Sequence, residues 1–380
     1  MTTLIRIFNR NPIENIMSAL AYPYDTIITV WMQPYQHTDQ YVVAQHIAIL
    51  KEYQLKPHFI HWHQPLDQLD TLFEKYPHAD IDLTSSSLHQ SMRLFNAITG
   101  LHTIFYYDHQ ANAFFSIAGE IDHLRIQNLH IRHSIESCGA AVKPDSLHYS
   151  PKDFQSEQDR AIIKKIYAIF AEDIENGAFG LIEAFPYALS KAKNNILYLF
   201  DTPQRVKRNG ALKILRKLEA LDILSIYDTN KGKIKLANKY AHIFKVMGQI
   251  LEMYLYIICV EANFFDDVKM SMRIDFNGLY INDRFEATSE IDLITIKDNH
   301  PNYLSCKLSK VHQEDIYEIY TNAHHFGGQQ ASALLAVSSK AQRINAYMNA
   351  KAKELNVMIL NKQDLAALDH IFTHVLKYDQ

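Results

Sequence analysis

Three residues near the C-terminal end of the chain have types and spacing suited to metal-dependent chemistry on phosphodiesters. Asp292 lies in the stretch SEIDLITIK, Ser305 follows thirteen residues later in YLSCKLS, and Lys307 stands two residues beyond Ser305. An acid on one strand, followed on the next strand by an acid, any residue and a lysine, can hold a divalent cation beside a positive charge. Such a cation stabilises charge on the reacting phosphate and generates a nucleophile from water. Here a serine stands where the second acid is expected.

The surroundings of Asp292 favour a metal site, with one alternative. Asp292 lies between apolar residues in a stretch typical of a buried strand, and a buried carboxylate needs a partner, for which a metal ion is a candidate. Residues i and i+2 of a strand face the same side, so Ser305 and Lys307 are expected to point into the site and Cys306 into the core. The alternative is a simple ion pair between Asp292 and Lys307.

Further acids could complete the site. Glu252 is a lone acid in the apolar stretch GQILEMYLY, on a predicted helix before the strands, where a metal ligand or its hydrogen-bonding support would lie. Glu318, on the helix predicted after YLSCKLS, is the most plausible substitute for the acid that Ser305 cannot supply, and Glu290 could contribute from the strand. Glu314 and Asp315 are interpreted as solvated surface acids.

The elements that must position these residues are predicted from periodicity. A helix over Val246 to Ala262 precedes the strands VKMSMRID, EIDLITIK and NYLSCKLS, which are followed by a helix from Gln313, a buried strand ALLAVS, a helix from Lys340 and the strand VMIL. Helix, three strands, helix and strand is the core order of the PD-(D/E)XK nuclease fold. Many α/β domains share this coarse order, so it is weak support by itself.

The first third of the chain alternates short β-rich runs with helical patterns, starting with the strand LIRIFN, the helix PIENIMSALAY and the strand TIITVWM. This alternation predicts a mostly parallel, doubly wound sheet. Ligands of such sheets bind at the carboxyl ends of the strands, which places the candidate site at NRNP, QPYQ and TSSS. The candidate ligand-binding residues are therefore Asn9, Arg10, Asn11, Gln33, Thr84, Ser85, Ser86, Ser87 and the nearby His89.

The middle of the chain is predicted to be a linker followed by a winged-helix-like segment. Two helical segments, a strand, a turn at TNKGK and a second strand follow each other between Thr202 and Phe244. A basic cluster there suits phosphate contacts, and a solvated helix face explains the same charges equally well. The cluster consists of Arg205, Lys207, Arg208, Lys213, Arg216 and Lys217.

Composition limits the remaining classes. The chain has 380 residues, a formal charge of −4 and 48% hydrophobic residues, enough for two or three domains. Three dispersed cysteines argue against a disulfide framework or a zinc site, and the twenty histidines lack metal-ligand spacing. The longest apolar run contains Glu252 and Glu261, and the start does not read as a secretory signal. We therefore expect a cytoplasmic protein with no membrane partner.

Both ends of the chain also resemble a known family. GQILE, SEIDLITI, YLSCKLS and HHFGGQQASALLAVS resemble motifs of the Card/Can-type nucleases, effectors of type III CRISPR systems, which read approximately GxWLE, NEIDV, ECK and a glycine pair before a strand. LTSSSLH, from Leu83 to His89, falls where the family's CRISPR-associated Rossmann fold (CARF) domain has LTGGTK. The serines can still offer hydroxyl and N–H groups to phosphate, although side chains make close backbone approach harder.

The resemblance implies an α/β architecture in three parts. Residues 1–143 would form a Rossmann-like CARF domain, residues 144–245 a linker with the winged-helix segment, and residues 246–380 a PD-(D/E)XK domain resembling restriction endonucleases. It implies a homodimer that binds cyclic tetra-adenylate and, with Mn²⁺ or Mg²⁺, cuts single-stranded DNA or RNA or nicks plasmid DNA in antiviral defence. The implied catalytic positions are Asp292, Lys307, Glu252 and Ser305, and the metal positions are Asp292, Glu252 and, as the substitute, Glu318.

Two alternatives remain open. The chain could be a ligand-sensing DNA-binding regulator that uses the winged-helix segment, with a catalytically weak or inactive C-terminal part. The loop TSSSLH could instead cleave the oligoadenylate itself, with serine or histidine groups positioning the 2′-hydroxyl.

Overall fold

A computed structural model describes most of the chain, in fifteen stretches. They are residues 2–8, 13–31, 39–62, 69–84, 86–98, 102–143, 154, 156–173, 178–204, 206–246, 248–276, 288–308, 311–328, 331–337 and 346–366. Five candidate ligand-binding residues lie outside them, namely Asn9, Arg10, Asn11, Gln33 and Ser85. Arg205 of the basic cluster also lies outside them.

The N-terminal part forms one six-stranded sheet, in the order β3-β2-β1-β4-β5-β6. Its elements are β1 (Thr3–Ile7), α1 (Glu14–Leu20), β2 (Thr26–Val30), α2 (Asp39–Glu52), β3 (His58–Trp62), α3 (Leu69–Lys75), β4 (Asp80–Asp82), α4 (Leu88–Ala97), β5 (Thr103–Asp108) and β6 (Ala113–Ala118). The first five strands are parallel and β6 is antiparallel to β5. Every residue of β1 and β2 is buried, as strands covered by helices on both faces require. The predicted parallel, Rossmann-like sheet is confirmed.

The middle part is helical with a small antiparallel sheet, in the order β8-β10-β9. The short elements α5 (Ile131–Glu136) and β7 (Ala141–Val142) precede it. The middle part comprises α6 (Glu157–Asp173), α7 (Ala178–Ser190), β8 (Ile196–Tyr198), α8 (Arg208–Glu219), β9 (Leu224–Asp228) and β10 (Lys233–Leu236). The sequence predicts two helical segments before the first strand of the winged-helix stretch, but α8 is the α-helix described there. A 3-10 helix over Asn238–Phe244 follows the second strand.

The C-terminal part forms a mixed six-stranded sheet, in the order β15-β14-β13-β12-β11-β7. Its elements are α9 (Gln249–Glu261), β11 (Asp267–Asp275), β12 (Thr288–Lys297), β13 (His300–Lys307), α10 (Gln313–Gly327), β14 (Ser332–Val337), α11 (Ala346–Glu354), β15 (Val357–Leu360) and α12 (Lys362–Ala366). Strands β13, β14 and β15 run parallel to one another. The pairs β11–β12 and β12–β13 are antiparallel. The helix, three strands, helix and strand expected from the sequence are present in that order.

Two buried clusters cover the two faces of the C-terminal sheet. One joins α9 and the middle helices to residues such as Leu304 and Cys306. The other joins α10 to residues such as Tyr303 and also includes side chains of α1, α2 and β5. Strand β7, from the end of the predicted CARF domain, pairs with β11 of the C-terminal sheet. The division at residues 143 and 245 stays a prediction.

In the described residues, no single helix is long and apolar enough to cross a membrane, while the bent pair Asn238–Phe244 and Gln249–Glu261 meets the length and composition criteria together.

The glycine pair before β14 has a packing role. A Cβ atom on Gly327 would lie 2.8 Å from the ring of Tyr303 and 2.9 Å from Pro301, closer than van der Waals contact allows. The glycine therefore lets the end of α10 approach β13, whose Tyr303 is fully buried. Because packing alone requires Gly327, its presence says nothing about catalysis.

We expect Gly327→Ala to lower the free energy of unfolding by about 1–3 kcal/mol, the usual cost of overpacking a core. Thermal and denaturant unfolding would measure it. Gly210→Ala in α8 is the control, since alanine is favoured over glycine in a helix and gains up to about 1 kcal/mol. A Gly327→Ala protein as stable as the native chain would contradict this close packing.

Candidate functional site

Asp292 lies where two strands of the C-terminal sheet separate. Backbone pairing between β12 and β13 runs from Lys297 with His300 to Leu293 with Leu304, and Asp292 is the next residue along β12. Beyond this point the Asp292 carboxylate replaces a backbone carbonyl as the hydrogen-bond acceptor. It accepts a 2.6 Å hydrogen bond from the Cys306 N–H and a 3.3 Å hydrogen bond from the Ser305 hydroxyl. The backbone pairing of β12 and β13 therefore ends at an acidic side chain, which lies at the opening of a cleft.

The cleft lies between the separating strands and α10. It encloses about 40 Å³, room for an ion and a few waters but not for a nucleotide. Its lining consists of Glu290, Ile291, Asp292, Leu304, Ser305, Lys307, Glu318, Ile319 and Asn322. Cys306 packs instead in the buried cluster around α9, so the predicted alternation along β13 is confirmed.

Glu252 approaches the same site from α9. The helix begins after Gly248, whose φ of 101° lies outside the range that other residues adopt easily. Glu252 stands in the first turn and accepts a 3.2 Å hydrogen bond from the Ser271 hydroxyl on β11. It does not line the cleft below α10, but its charge interacts with those of Asp292 and Lys307.

The two carboxyl groups share a buried, electrostatically unfavourable position. Burial and, secondly, the charge of Asp292 raise the pKa of Glu252 to about 8. Burial also raises the pKa of Asp292 to about 6, against the opposing effects of the Cys306 hydrogen bond and the Lys307 charge. Two ionised carboxylates are therefore disfavoured here unless a positive charge joins them.

Lys307 is held by an acid that the sequence interpretation placed on the surface. Its ammonium forms a 2.9 Å ion pair with Asp315, and Asp315 also caps α10 through a 2.6 Å hydrogen bond from the His312 N–H. The interpretation of Asp315 as a solvated acid is wrong, because its side chain is only 16% exposed. Burial lowers the pKa of Lys307, but the Asp315 pair, with the charges of Asp292 and Glu318, outweighs this effect, so the pKa is raised.

The other acids near the cleft differ in position. Glu318 lies on the cleft wall, and its charge interacts with that of Lys307. Glu290 also lines the cleft and lies 3.6 Å from the guanidinium of Arg273. Glu314 is exposed, as expected. Lys307 pairs with Asp315 rather than with Asp292, so the simple ion pair between Asp292 and Lys307 is not formed.

The donor set suits a hard cation bound by few protein ligands. Among the described residues, no three His, Cys, Asp or Glu side chains are grouped as ligands of one ion, and Ser305 stands where a third acid would help. Mg²⁺ is commonly held by one or two carboxylates, with waters and substrate phosphates completing its shell. The buried pair of Glu252 and Asp292 fits that mode, since a cation would remove the repulsion between them.

The loop after β4 is built largely by its own hydroxyl groups. The Thr84 hydroxyl donates to the Asp82 carboxylate and accepts a 2.7 Å hydrogen bond from the Tyr107 N–H. Ser86 donates to the Leu83 carbonyl at 2.7 Å. Ser87 caps α4 by accepting from the Gln90 N–H at 3.3 Å. These hydroxyls are engaged within the loop, while His89 follows in the first turn of α4.

Buried charges below this loop were missed from the sequence. Arg6 of β1 pairs in register with Asp82 of β4, and both are almost fully buried. The Arg6 guanidinium lies 3.2 Å from His46 Nδ1, which must accept because arginine only donates. His46 Nε2 therefore donates to the Ser137 carbonyl at 2.9 Å. Burial, then the charge of Arg6, lower the pKa of His46 to about 3, so this ring is neutral. The feature of the sequence that could have indicated this pair is a charged residue in each of two strands, Arg6 in β1 and Asp82 in β4.

The basic cluster of the middle part is mostly exposed. Lys207, Arg208, Lys213 and Arg216 are exposed on and before α8, while Lys217 pairs with Glu172 at 2.8 Å. This exposure is compatible with both phosphate contacts and a solvated helix face.

These features define an α/β protein with a Rossmann-like N-terminal sheet and a C-terminal sheet that carries a buried pair of acids beside a lysine. No protein-family model and no curated protein matches the chain by sequence. Solved structures share its fold. Protein VC1899 from Vibrio cholerae superimposes with a TM-score of 0.74 at 15% identity, covering 99% of this chain and 98% of that chain. Can2 from Sulfobacillus thermosulfidooxidans, solved in complex with cyclic tetra-adenylate, gives a TM-score of 0.66 at 14% identity, covering 99% and 97%.

Proposed function

We propose that the chain is a metal-dependent nuclease of type III CRISPR defence, switched on by a cyclic oligoadenylate, with cyclic tetra-adenylate as the activator. Its C-terminal part would be of the PD-(D/E)XK type. Its substrates would be single-stranded DNA or RNA, or plasmid DNA that it nicks. The observation that carries the proposal is the buried pair of Glu252 and Asp292 beside the charged Lys307.

The carboxylate pair supports hydrolysis rather than a purely structural role. Replacing this pair by apolar residues would avoid the cost of burying two acids whose pKa values burial raises. Glu252 and Asp292 would hold Mn²⁺ or Mg²⁺, with Glu318 on the cleft wall as a further candidate ligand. When bound, the ion supplies stabilisation of negative charge on the phosphate and a lowered pKa of water.

The remaining residues have positioning roles in this mechanism. Asp315 holds the Lys307 ammonium charged at the cleft wall, where it can stabilise negative charge on the substrate. Ser305 and the Cys306 N–H hold the Asp292 carboxylate in one orientation through their hydrogen bonds. Ser305 in this arrangement supports a carboxylate instead of supplying one, so the site would be rewired rather than lost.

The activator is proposed from the fold. Can2 is bound to cyclic tetra-adenylate and shares its fold with this chain over almost its full length. The loop after β4 lies at the carboxyl end of a parallel strand, where Rossmann-like sheets bind ligands. Backbone N–H groups at the start of α4 are the phosphate-binding groups we propose, because the Thr84, Ser86 and Ser87 hydroxyls already build the loop.

A homodimer is part of the proposal. The N-terminal part exposes large apolar side chains that contact with a second copy would cover, such as Phe95 on α4 at 52% exposure and Phe115 on β6 at 41%.

The alternative, a DNA-binding regulator with an inactive C-terminal part, draws on the exposed basic residues of α8. Incubation of labelled single-stranded DNA, single-stranded RNA and supercoiled plasmid with Mn²⁺, with and without cyclic tetra-adenylate, separates the two. We expect cutting only when both ion and ligand are present. Measurable ligand binding without cutting under any metal would favour the regulator, and strong cutting without ligand would contradict the proposed control.

A further inference from the structure

The outward face of the middle sheet combines aromatic and basic side chains. Leu197 of β8 and Ile234 and Leu236 of β10 are buried in the core, so their alternating neighbours face away from it. Tyr198 is directly opposite Lys233 in the ladder, and the Lys233 ammonium lies 5.6 Å from the Tyr198 ring centre. Tyr198 is 43% exposed.

A cavity opens beside this face, between the end of α7 and β8. It encloses about 500 Å³, which is in the range of small-molecule sites and large enough for a nucleotide. Its lining consists of Tyr187, Ala188, Lys191, Lys193, Ile196, Tyr198, Asp201 and Thr202. Two tyrosine rings and two lysines therefore converge on one opening, with the Lys191 ammonium 4.2 Å from the Tyr187 ring centre.

The charge around the cavity is opposite in sign to that of the whole chain. Residues 191–236 contain eleven lysines and arginines and four aspartates and glutamates, although the chain carries a formal charge of −4. Within the part of the chain that the structure describes, Lys193, Lys233 and Lys235 form no ion pair. These positive charges are thus available to an anionic ligand.

We propose that this cavity and the adjoining face of the middle sheet bind single-stranded nucleic acid. A base stacks on Tyr198, and the phosphates on either side lie near Lys193 and Lys233. Stacking on an exposed ring requires an unpaired base, whereas a duplex presents only its backbone and groove edges. The site goes beyond the proposed nuclease function, because binding here uses neither the carboxylate pair nor a metal ion.

Fluorescence anisotropy with labelled single-stranded DNA and RNA of one sequence, in EDTA, tests the proposal on the full chain. We expect Tyr198→Ala to raise the Kd at least about tenfold and Tyr198→Phe, which keeps the ring, to change it less than about twofold. Replacing Lys193 and Lys233 together by alanine is expected to reduce the slope of log K against log salt by about 1.4. The ratio of DNA to RNA affinity identifies which strand is preferred.

Tyr347→Ala is the control, since Tyr347 on α11 is a tyrosine that is even more exposed than Tyr198, at 61%. Its Kd should match that of the native chain. All titrations contain EDTA, so binding is measured without a metal ion and the test is independent of the nuclease proposal. Native-like binding by Tyr198→Ala would overturn the inference, as would the absence of binding. So would a preference for duplex DNA that is lost in Arg208→Ala, which would assign the contacts to α8.

Discussion

Asp292→Asn is expected to lower ligand-activated cleavage by at least about a hundredfold, because the charge stabilisation supplied by a catalytic metal ion is worth several kcal/mol. Asparagine keeps the shape of the side chain and an oxygen that can accept the Cys306 N–H. It lacks only the negative charge that would hold the ion. Initial rates of cleavage in Mn²⁺ with saturating cyclic tetra-adenylate measure the effect, and calorimetric titration with Mn²⁺ measures the expected loss of metal affinity.

Asp298→Asn provides the matched control for this substitution. Asp298 follows the same strand, is 55% exposed, and has a φ of 48°, a conformation that asparagine tolerates well. Its cleavage rate should stay within about twofold of the native rate, since surface substitutions are usually within about 0.5 kcal/mol. Native-like cleavage by Asp292→Asn would place the active site elsewhere. Unfolding of Asp292→Asn is not expected, because burial already disfavours the ionised form of Asp292.

The parts of this fold that follow local rules were predictable. Strands β1 (TLIRI) and β2 (TIITV) are rich in leucine, isoleucine and valine, and α4 between β4 and β5 is clearly amphipathic. The alternation along β13 also fixed the faces of Ser305, Cys306 and Lys307 before their surroundings were known. A period of two residues is a local property, so it needs no knowledge of the tertiary structure.

Other features depend on contacts between distant segments. From the sequence, Asp315 is interpreted as a solvated surface acid, because its pairing with Lys307 depends on how α10 packs against β13. The neutral state of His46 depends on its burial and on Arg6, forty residues earlier in the chain. Strand β7 has two residues, too few for any periodicity to indicate its partner β11. Position 327 requires glycine because the ring of Tyr303 on β13 packs against it.

Glu252→Gln is expected to stabilise the metal-free protein at alkaline pH and to have little effect in acid. The pKa of Glu252 is about 8 in the folded chain, against an ordinary value of 4.5. The folded state therefore keeps a proton that the unfolded chain has released between these values. This contribution to stability is complete below about pH 4.5 and is lost as the pH rises through 8. Glutamine removes the titration, so the variant should gain roughly 2–4 kcal/mol over the native chain at about pH 9.

If the carboxylates hold the ion, Mn²⁺ should make the native chain more stable than Glu252→Gln at alkaline pH. Metal binding requires the ionised pair, so Mn²⁺ should raise the Tm of the native chain more at alkaline than at acidic pH. Glu252→Gln should lose most of that increase. Differential scanning calorimetry across this pH range, with Mn²⁺ or EDTA, measures both effects.

Glu74→Gln, at an exposed position of α3, is the control and should follow the native curves. A variant that is no more stable than the native chain at alkaline pH in EDTA would mean that Glu252 is not a strained buried acid. If Mn²⁺ leaves the Tm unchanged, the proposed site does not bind the ion, whereas the conclusion about the titration of Glu252 still holds.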